Sequence, residues 1–402
     1  MIFKHKRLPV FVCRNQKALF LAVIFLSCFL SAFSQFKVGF RLNNLPPNHV
    51  EDSIFVAGSF NGWNPGKNGN HFSKLNEPGF IEINDIPAGT YQFKFTRGSW
   101  QSVECLDDGK DAGNRLLNIY SDTIVGFSIA AWKDDFAAVE KQHTASSNVH
   151  IIDTAFTIPQ LGRTRRIWLY LPPGYAKNKK RYPVMYMQDG QNIFDEYTSA
   201  FGEWGVDECV DSMIKNGKPG CIIVGIDNGP KRMNEYNPYR FKDFGKGEGD
   251  QYVDFIVEDL KPFIDKHYRT LRSNQNTIIA GSSMGGLISY YAMLKYPGVF
   301  GKAGIFSPAF WTADKIMDLT NSNGKNLKGT LFFYIGGQEG KEHIENMKEI
   351  TEKLGMISKA LVFSVTDPEG SHNEHAWRKW FPEFYQWVLT NGFNYIIDLD
   401  ED

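Results

Sequence analysis

The spacing of apolar residues divides the chain into two textures. Between residues 36 and 131 the apolar positions come in short runs: Ser53–Ala57, Phe80–Ile83, Tyr91–Thr96 and Leu116–Tyr120. Turn chemistry separates them, including Asn61-Gly62 and Asn64-Pro65-Gly66. No helical period of useful length appears, so the pattern predicts a small immunoglobulin-like, all-β sandwich of antiparallel strands. From residue 150 to 392 the order changes. Strand-like runs at Arg166–Leu171, Pro183–Met187, Ile222–Ile226, Thr277–Ala280, Gly304–Ser307, Leu331–Ile335 and Leu361–Val365 alternate with helical patterns. The clearest of the latter are Tyr252–His267, Leu287–Lys295, Glu342–Leu354 and Trp377–Val388. This alternation predicts an α/β fold with a mostly parallel central sheet and helices on both faces. Residues 132–149, polar and rich in Ala and Ser, read as a linker between the two.

Ahead of both lies a targeting segment. Lys4, Lys6, Arg7, Arg14 and Lys17 give a basic start, Ala18–Leu30 is an apolar stretch short for a membrane span, and Ala32-Phe33-Ser34 offers small-residue cleavage before Gln35. The expectation is a signal peptide over residues 1–34 and an exported protein, periplasmic or extracellular, with no stable membrane span after cleavage. An uncleaved anchor is the competing reading. Phe25 and the apolar residues after Cys28 argue against lipidation there. Maturation would leave Cys105, Cys209 and Cys221, an odd and sparse set that makes no disulfide framework and has no CxxC spacing. A formal net charge of −1 gives no reason to expect a nucleic-acid partner. The aromatic share, 14%, is high enough to look for sugar-stacking surfaces.

Candidate chemistry centres on Gly281-Ser282-Ser283-Met284-Gly285-Gly286, between a strand run and a helical pattern. A strand turning sharply into a helix around Gly-x-Ser-x-Gly is a nucleophile elbow, which lifts the Ser283 hydroxyl clear of the sheet at the positive end of the helix. Ser283 needs a base, and His372 follows the last strand run on the loop Thr366–His372, ahead of the final helix. His375 is the rival. His372-Asn373-Glu374-His375 lacks a third convergent ligand for a metal, and no metal or cofactor is expected. Glu339, on the loop Gly336–Gly340 beyond another strand run, supplies the orienting acid in the chain order Ser, acid, His, with Asp367 as runner-up. An oxyanion hole needs two main-chain N–H groups. Met284 directly follows the nucleophile, and Gln191 lies in the early glycine turn Gln188–Asn192. Asp189 in that turn precedes Ser283 and reads as structural.

These residues resemble a known group. Residues 150–392 are similar to the esterase branch of the α/β-hydrolases, which includes enterochelin esterases, feruloyl and acetylxylan esterases and, more distantly, mycolyltransferases. The matching segments are Arg166–Pro173, Asp189–Phe194, Glu235–Pro238, Gly281–Gly286, Ser307–Trp311, His372–Glu374 and Trp377-Arg378. The resemblance carries Ser283 as nucleophile and His372 as base, supports Gln191 and Met284 as oxyanion donors, and implies that Phe310 and Trp311 line the substrate pocket. Relatives vary at the acid and often have His where Gln188 stands. Phe55–Pro65, Tyr91–Phe95 and Trp100 look like the glycogen- and starch-binding modules of the early-set sandwich class. That likeness implies Trp63 and Trp100 as sugar-stacking rings and Lys94 and Asn114 as hydroxyl-binding groups. Asp107, Asp108 and Asp111 alternate with glycines and read as a solvated turn rather than a calcium loop.

The resulting expectation is an exported serine carboxylic-ester hydrolase. Its ester would be attached to a carbohydrate, of feruloyl or acetyl type, or be siderophore-like, with a glycan polymer as a further partner. The competing readings are an acyltransferase on the same fold, and a glycan-binding protein with a vestigial hydrolase domain.

Overall fold

The computed structural model describes residues 35–49, 51–61, 63–66, 80–136, 141–241 and 244–390, so the expected signal segment lies outside the described residues. Eight strands come first: β1 (Gln35–Asn44), β2 (Phe55–Gly58), β3 (Phe80–Pro87), β4 (Gly89–Thr96), β5 (Glu104–Cys105), β6 (Arg115–Ile119), β7 (Thr123–Ser128) and β8 (Ala131–Trp132). They form sheets of order β3-β1-β7 and β2-β4-β6, with β5 paired to β8. All these pairings are antiparallel except β1–β7, which is parallel. Val38, Phe40, Val56, Ile83, Phe93, Phe95, Leu117 and Ile119 share one core. Alternation puts Phe93 and Phe95 of β4 into that core and Thr90, Gln92 and Lys94 on the opposite face.

The second region adds β9 (Val149–Ile158), β10 (Arg163–Tyr170), β11 (Val184–Gln188), β12 (Ile222–Ile226), β13 (Thr277–Ser282), β14 (Lys302–Phe306), β15 (Thr330–Gly336) and β16 (Leu361–Asp367). They make one sheet of order β16-β15-β14-β13-β11-β12-β10-β9. Its pairs from β11 to β16 are parallel and the β9 and β10 edge is antiparallel. Successive residues of each strand serve opposite cores. Ile279, Ile305 and Phe333 face the helices Gly249–Phe255, Lys261–His267, Met284–Lys295 and Lys341–Ile357, while Ile278, Phe306 and Phe332 face Val206–Lys215 and Glu374–Thr390. The helix expected over Tyr252–His267 runs without a break in the backbone and widens to a π turn at Ile256–Leu260, next to Pro262, which has no N–H for the ladder.

The described part of the expected linker is not a free tether. Lys141 donates to the Ser199 carbonyl (2.6 Å), His143 meets Asp195 (2.7 Å), and the Thr144 hydroxyl donates to Glu203 (2.9 Å). Ser146 N–H then donates to Asp207 (2.7 Å) and Asn148 to Asp211 (2.9 Å). The polar composition that suggests a spacer is consumed by a row of carboxylates between residues 195 and 211. Cys105, Cys209 and Cys221 are free thiols.

Candidate active site

In the parallel sheet Ser282 is level with Phe306, and Phe306 with Tyr334, so the turns that follow β13, β14 and β15 open on one edge. Open α/β sheets collect their chemistry beyond the carboxyl ends of the strands. Three non-glycine residues there hold left-handed backbone: Asp189 (φ 58°), Ser283 (φ 56°) and Ser307 (φ 44°). Such conformations cost about 1–3 kcal/mol and persist only where the surroundings impose them. At Ser283 the surroundings are explicit. Its N–H donates to Phe306 O (2.9 Å), and its carbonyl accepts from Ala309 N–H (3.1 Å). The turn is tight enough that a Cβ on Gly281 would lie 2.8 Å from the Gly285 backbone. Helix Met284–Lys295 starts immediately after, which places its positive end at the half-buried serine.

The Glu339 carboxylate, 2% exposed, is held by three donors. Oε1 accepts from Ser307 Oγ (2.5 Å) and Gly336 N–H (2.7 Å), and Oε2 lies 2.8 Å from His372 Nδ1. A Nδ1–H donated to Glu339 leaves the Nε2 lone pair of His372 available. Asp367 is engaged elsewhere, by Lys379 Nζ and Trp380 Nε1, both at 2.8 Å. His375 is exposed on helix Glu374–Thr390. The structure thus brings Glu339, and neither Asp367 nor His375, into contact with His372.

The early glycine turn is fixed from two sides. Asp189 is bonded by Arg232 Nε (2.7 Å) and Nη2 (2.8 Å) and by Asn228 Nδ2 (2.6 Å). Gln191 accepts on its carbonyl from Thr198 Oγ1 and on its side chain from Asn228 N–H. Among the described residues no acceptor takes the main-chain N–H of Gln191 or Met284. Gln188 is buried against the elbow glycines, accepts from Tyr252 OH (2.6 Å), and has no partner for its Nε2 among the described residues.

Sequence reasoning passed over several neighbours of these groups. Trp377 Nε1 donates to Ser307 Oγ (2.8 Å), and its ring stands edge-on to His372 (5.2 Å). Ser307 and Trp377 lie in segments carried by the family resemblance, which was their available signal. His343 had none. Burial, reinforced by His372, holds its imidazole down to about 4, so it stays neutral at neutral pH. Trp311 is half-buried between Phe241 (5.6 Å) and His343 (6.1 Å), whereas Phe310 is 5% exposed and edge-on to Tyr290 (5.4 Å). Glu374 is buried two residues after His372, and burial pushes its carboxyl up to about 7.

The four residues expected to meet a glycan are all engaged within the protein. Lys94 pairs with Asp111, and Asn114 Nδ2 donates to Gln92 Oε1 (2.8 Å). The Trp63 and Trp100 rings lie 6.3 Å apart, and Trp100 is edge-on to Phe201 of the second region (6.4 Å). Among the described residues one carboxylate group, Glu203, Asp207 and Glu208, is close enough to share a cation. Thr144 and Ser146 already donate to it, and burial raises all three, Glu208 to about 7.

Residues 158–390, more than half of the chain, match the esterase family model described as "Putative esterase". The chain belongs to this esterase family. It is 28% identical over 258 residues to an endo-1,4-beta-xylanase/feruloyl esterase of Xylanibacter ruminicola, a match covering 63% of this chain and 33% of that protein. It is 27% identical over 258 residues to the ferri-bacillibactin esterase BesA of Bacillus subtilis, covering 54% and 85%. In fold it is similar to an enterochelin esterase from Shigella flexneri, with a TM-score of 0.50 at 13% identity over 88% of this chain and 92% of the other. The activity class is therefore esterase, on an α/β-hydrolase-like sheet. No helix among the described residues is long and apolar enough to cross a membrane.

Proposed function

We propose that this esterase is a serine carboxylic-ester hydrolase working through an acyl-enzyme. The observation that carries the reading is the Glu339–His372 contact of 2.8 Å on the sheet edge that also holds Ser283 in its left-handed turn. Ser283 Oγ attacks the ester carbonyl while His372 Nε2 takes its proton, and the negative oxygen is received by the N–H groups of Gln191 and Met284. Collapse of the tetrahedral intermediate expels the alcohol, which receives the proton from His372. Water, deprotonated by the same imidazole, then attacks the acyl-serine, and collapse of the second tetrahedral intermediate releases the acid as His372 returns the proton to Ser283 Oγ. Glu339 steadies the imidazolium without itself being protonated. The chemistry requires no cofactor.

The similarity to a xylanase/feruloyl esterase and to a ferri-bacillibactin esterase supports two substrate classes, acyl groups on glycans and siderophore-like esters. Trp311, with Phe241 and His343 beside it, is the aromatic surface offered to the acyl or leaving group. Cleavage of a signal segment and export complete the reading. Its test is fluorophosphonate labelling of the full chain and of Ser283→Ala. Hydrolysis of p-nitrophenyl acyl esters, feruloyl and acetyl xylo-oligosaccharides and a catecholate siderophore ester is measured alongside. Labelling of the wild type alone is the expected result, and equal labelling of both removes the nucleophile.

A further inference from the structure

Gln92 belongs to the N-terminal sheet and is only 7% exposed, on the face of β4 turned away from that sheet's own core. A buried amide must find partners for both its ends. Its Oε1 accepts from Asn114 Nδ2 (2.8 Å), and its Nε2 donates to the main-chain oxygen of Glu339 (2.8 Å), 247 residues further along the chain. The hydrogen bond ends on the residue whose carboxylate faces His372. The same sheet closes over the next residue, since a Cβ on Gly340 (φ 100°) would meet Thr90 Cγ2 at 3.4 Å and Leu116 Cδ2 at 3.8 Å.

The turn that carries Glu339 is short, and from within it is braced by the Gly336 N–H donated to the Glu339 carboxylate (2.7 Å). It is a three-residue 3₁₀ turn, Gly337–Glu339, with Gly336 before it and Gly340 after it. On its other side Gln338 N–H donates to Gly370 O (3.0 Å), and Gln338 Oε1 accepts from Ser371 Oγ (3.1 Å), beside the base. The acid's turn is thus clamped between the base's loop and β4. Catalytic groups tolerate only small errors in position, and a carboxylate on a glycine-flanked turn gains its precision from such outside contacts.

We propose that Gln92 is a positioning residue of the esterase. It acts through Glu339, fixing the acid's turn so that the carboxylate meets His372 Nδ1, and it makes the N-terminal sheet part of the catalytic unit rather than a tethered accessory. The proposal rests on the Ser283–His372–Glu339 reading, and its test separates the two. In the full-length chain Gln92→Leu is measured alone and combined with Glu339→Gln, on p-nitrophenyl acetate. Loss of one hydrogen bond to the acid's turn should lower kcat about tenfold and leave KM within about twofold. The acid limb of the kcat/KM profile should move to lower pH, because a less well-placed carboxylate stabilises the imidazolium less. In the Glu339→Gln background the same change should do almost nothing, since the group it acts through is gone. A purely structural Gln92 would lower the number of labelled active sites and the melting temperature, and would leave the pH limb of the remaining enzyme in place. Gln92→Glu, which keeps the size and polarity but aims an oxygen at the Glu339 carbonyl, gives the same readout should Gln92→Leu not fold. Unchanged kcat and pH limb, or losses that multiply with Glu339→Gln, overturn the proposal. A wild-type chain that no fluorophosphonate labels overturns the triad reading instead.

Discussion

The carboxyl edge of the large sheet and the outer face of β4 both carry residues that stand out by chemical type, yet they are satisfied in different ways. At the sheet edge the polar groups meet one another: Glu339 meets His372, and Ser307 links Glu339 to Trp377. On β4 and its neighbours they are taken up by other parts of the protein. Lys94 is paired with Asp111, Asn114 with Gln92, Gln92 with Glu339, and Trp100 is set against Phe201. On this face these polar contacts run to the second region and to neighbouring groups of the N-terminal region itself. Similar residue types therefore converge on one another in one region and join two regions of the chain in the other.

The largest effect that could break this contrast is loss of the nucleophile. Ser283→Ala should remove on the order of 10⁶ in turnover with the fold intact, and His372→Ala should be comparable. Esterase activity within tenfold of wild type would end the assignment at Ser283. His375→Ala should be mild, and the reverse ranking of the two histidines would move the base.

Next come the two carboxylates at the carboxyl ends of adjacent parallel strands, Glu339 in the turn after β15 and Asp367 as the last residue of β16. Glu339→Gln should lower kcat by about 10²–10⁴, with the small-ester KM little changed, because the acid orients and stabilises rather than reacts. Asp367→Asn should act mainly on stability through Lys379 and Trp380. Steady-state kinetics beside thermal melts decide between them; a silent Glu339→Gln with a crippled Asp367→Asn would reverse the assignment.

A smaller effect sharpens the view of the N-terminal face. Trp100→Ala should lower kcat/KM a few-fold, and by the same factor for p-nitrophenyl acetate as for an acylated polysaccharide, if the ring supports Phe201 rather than holding a polymer. Retardation of the wild type in xylan, starch or glycogen gels, lost in Trp63→Ala/Trp100→Ala, would restore a glycan role to this face.

A change of another kind, with no expected effect on turnover, concerns stability and pH. Burial holds the Glu374 carboxyl up to about 7, against about 4.5 in the unfolded chain. The folded protein keeps an extra proton between those values, so stability falls as pH rises from about 4.5 to about 7, and the deficit is complete above that window. It amounts to about 3 kcal/mol at most. Glu374→Gln should therefore raise the melting temperature by several degrees at pH 8 and leave it nearly unchanged at pH 4.5. A uniform shift at both pH values would mean that titration is not the cause.

Much of the candidate site was legible because its signals are local. A nucleophile elbow needs glycine at Gly281 and Gly285, a strand before and a helix after, and all of these lie within about twenty residues of Ser283. Glu339 and His372 were found from their order and from their loops beyond strand runs, a rule that parallel sheets enforce by bringing their carboxyl ends to one edge. The choice between Glu339 and Asp367 was not legible. Their β-strands are neighbours and in register, with Gly336 level with Asp367, and only the turn after β15 directs a carboxylate at the imidazole. His343 was invisible for a similar reason, as a helix residue whose place beside His372 comes from packing.

The docking of the expected linker was not legible because composition reports solubility, not the acidic row that takes up its polar groups between residues 195 and 211. The sequence by itself determined the α/β class, a candidate nucleophile and base and a short choice of acids, since periodicity and turn chemistry are properties of neighbouring residues. Tertiary structure alone decided which acid meets His372 and where the face of β4 points. Both depend on contacts between residues far apart in the chain, such as Gln92 and Glu339, and no local pattern encodes a contact across 247 residues.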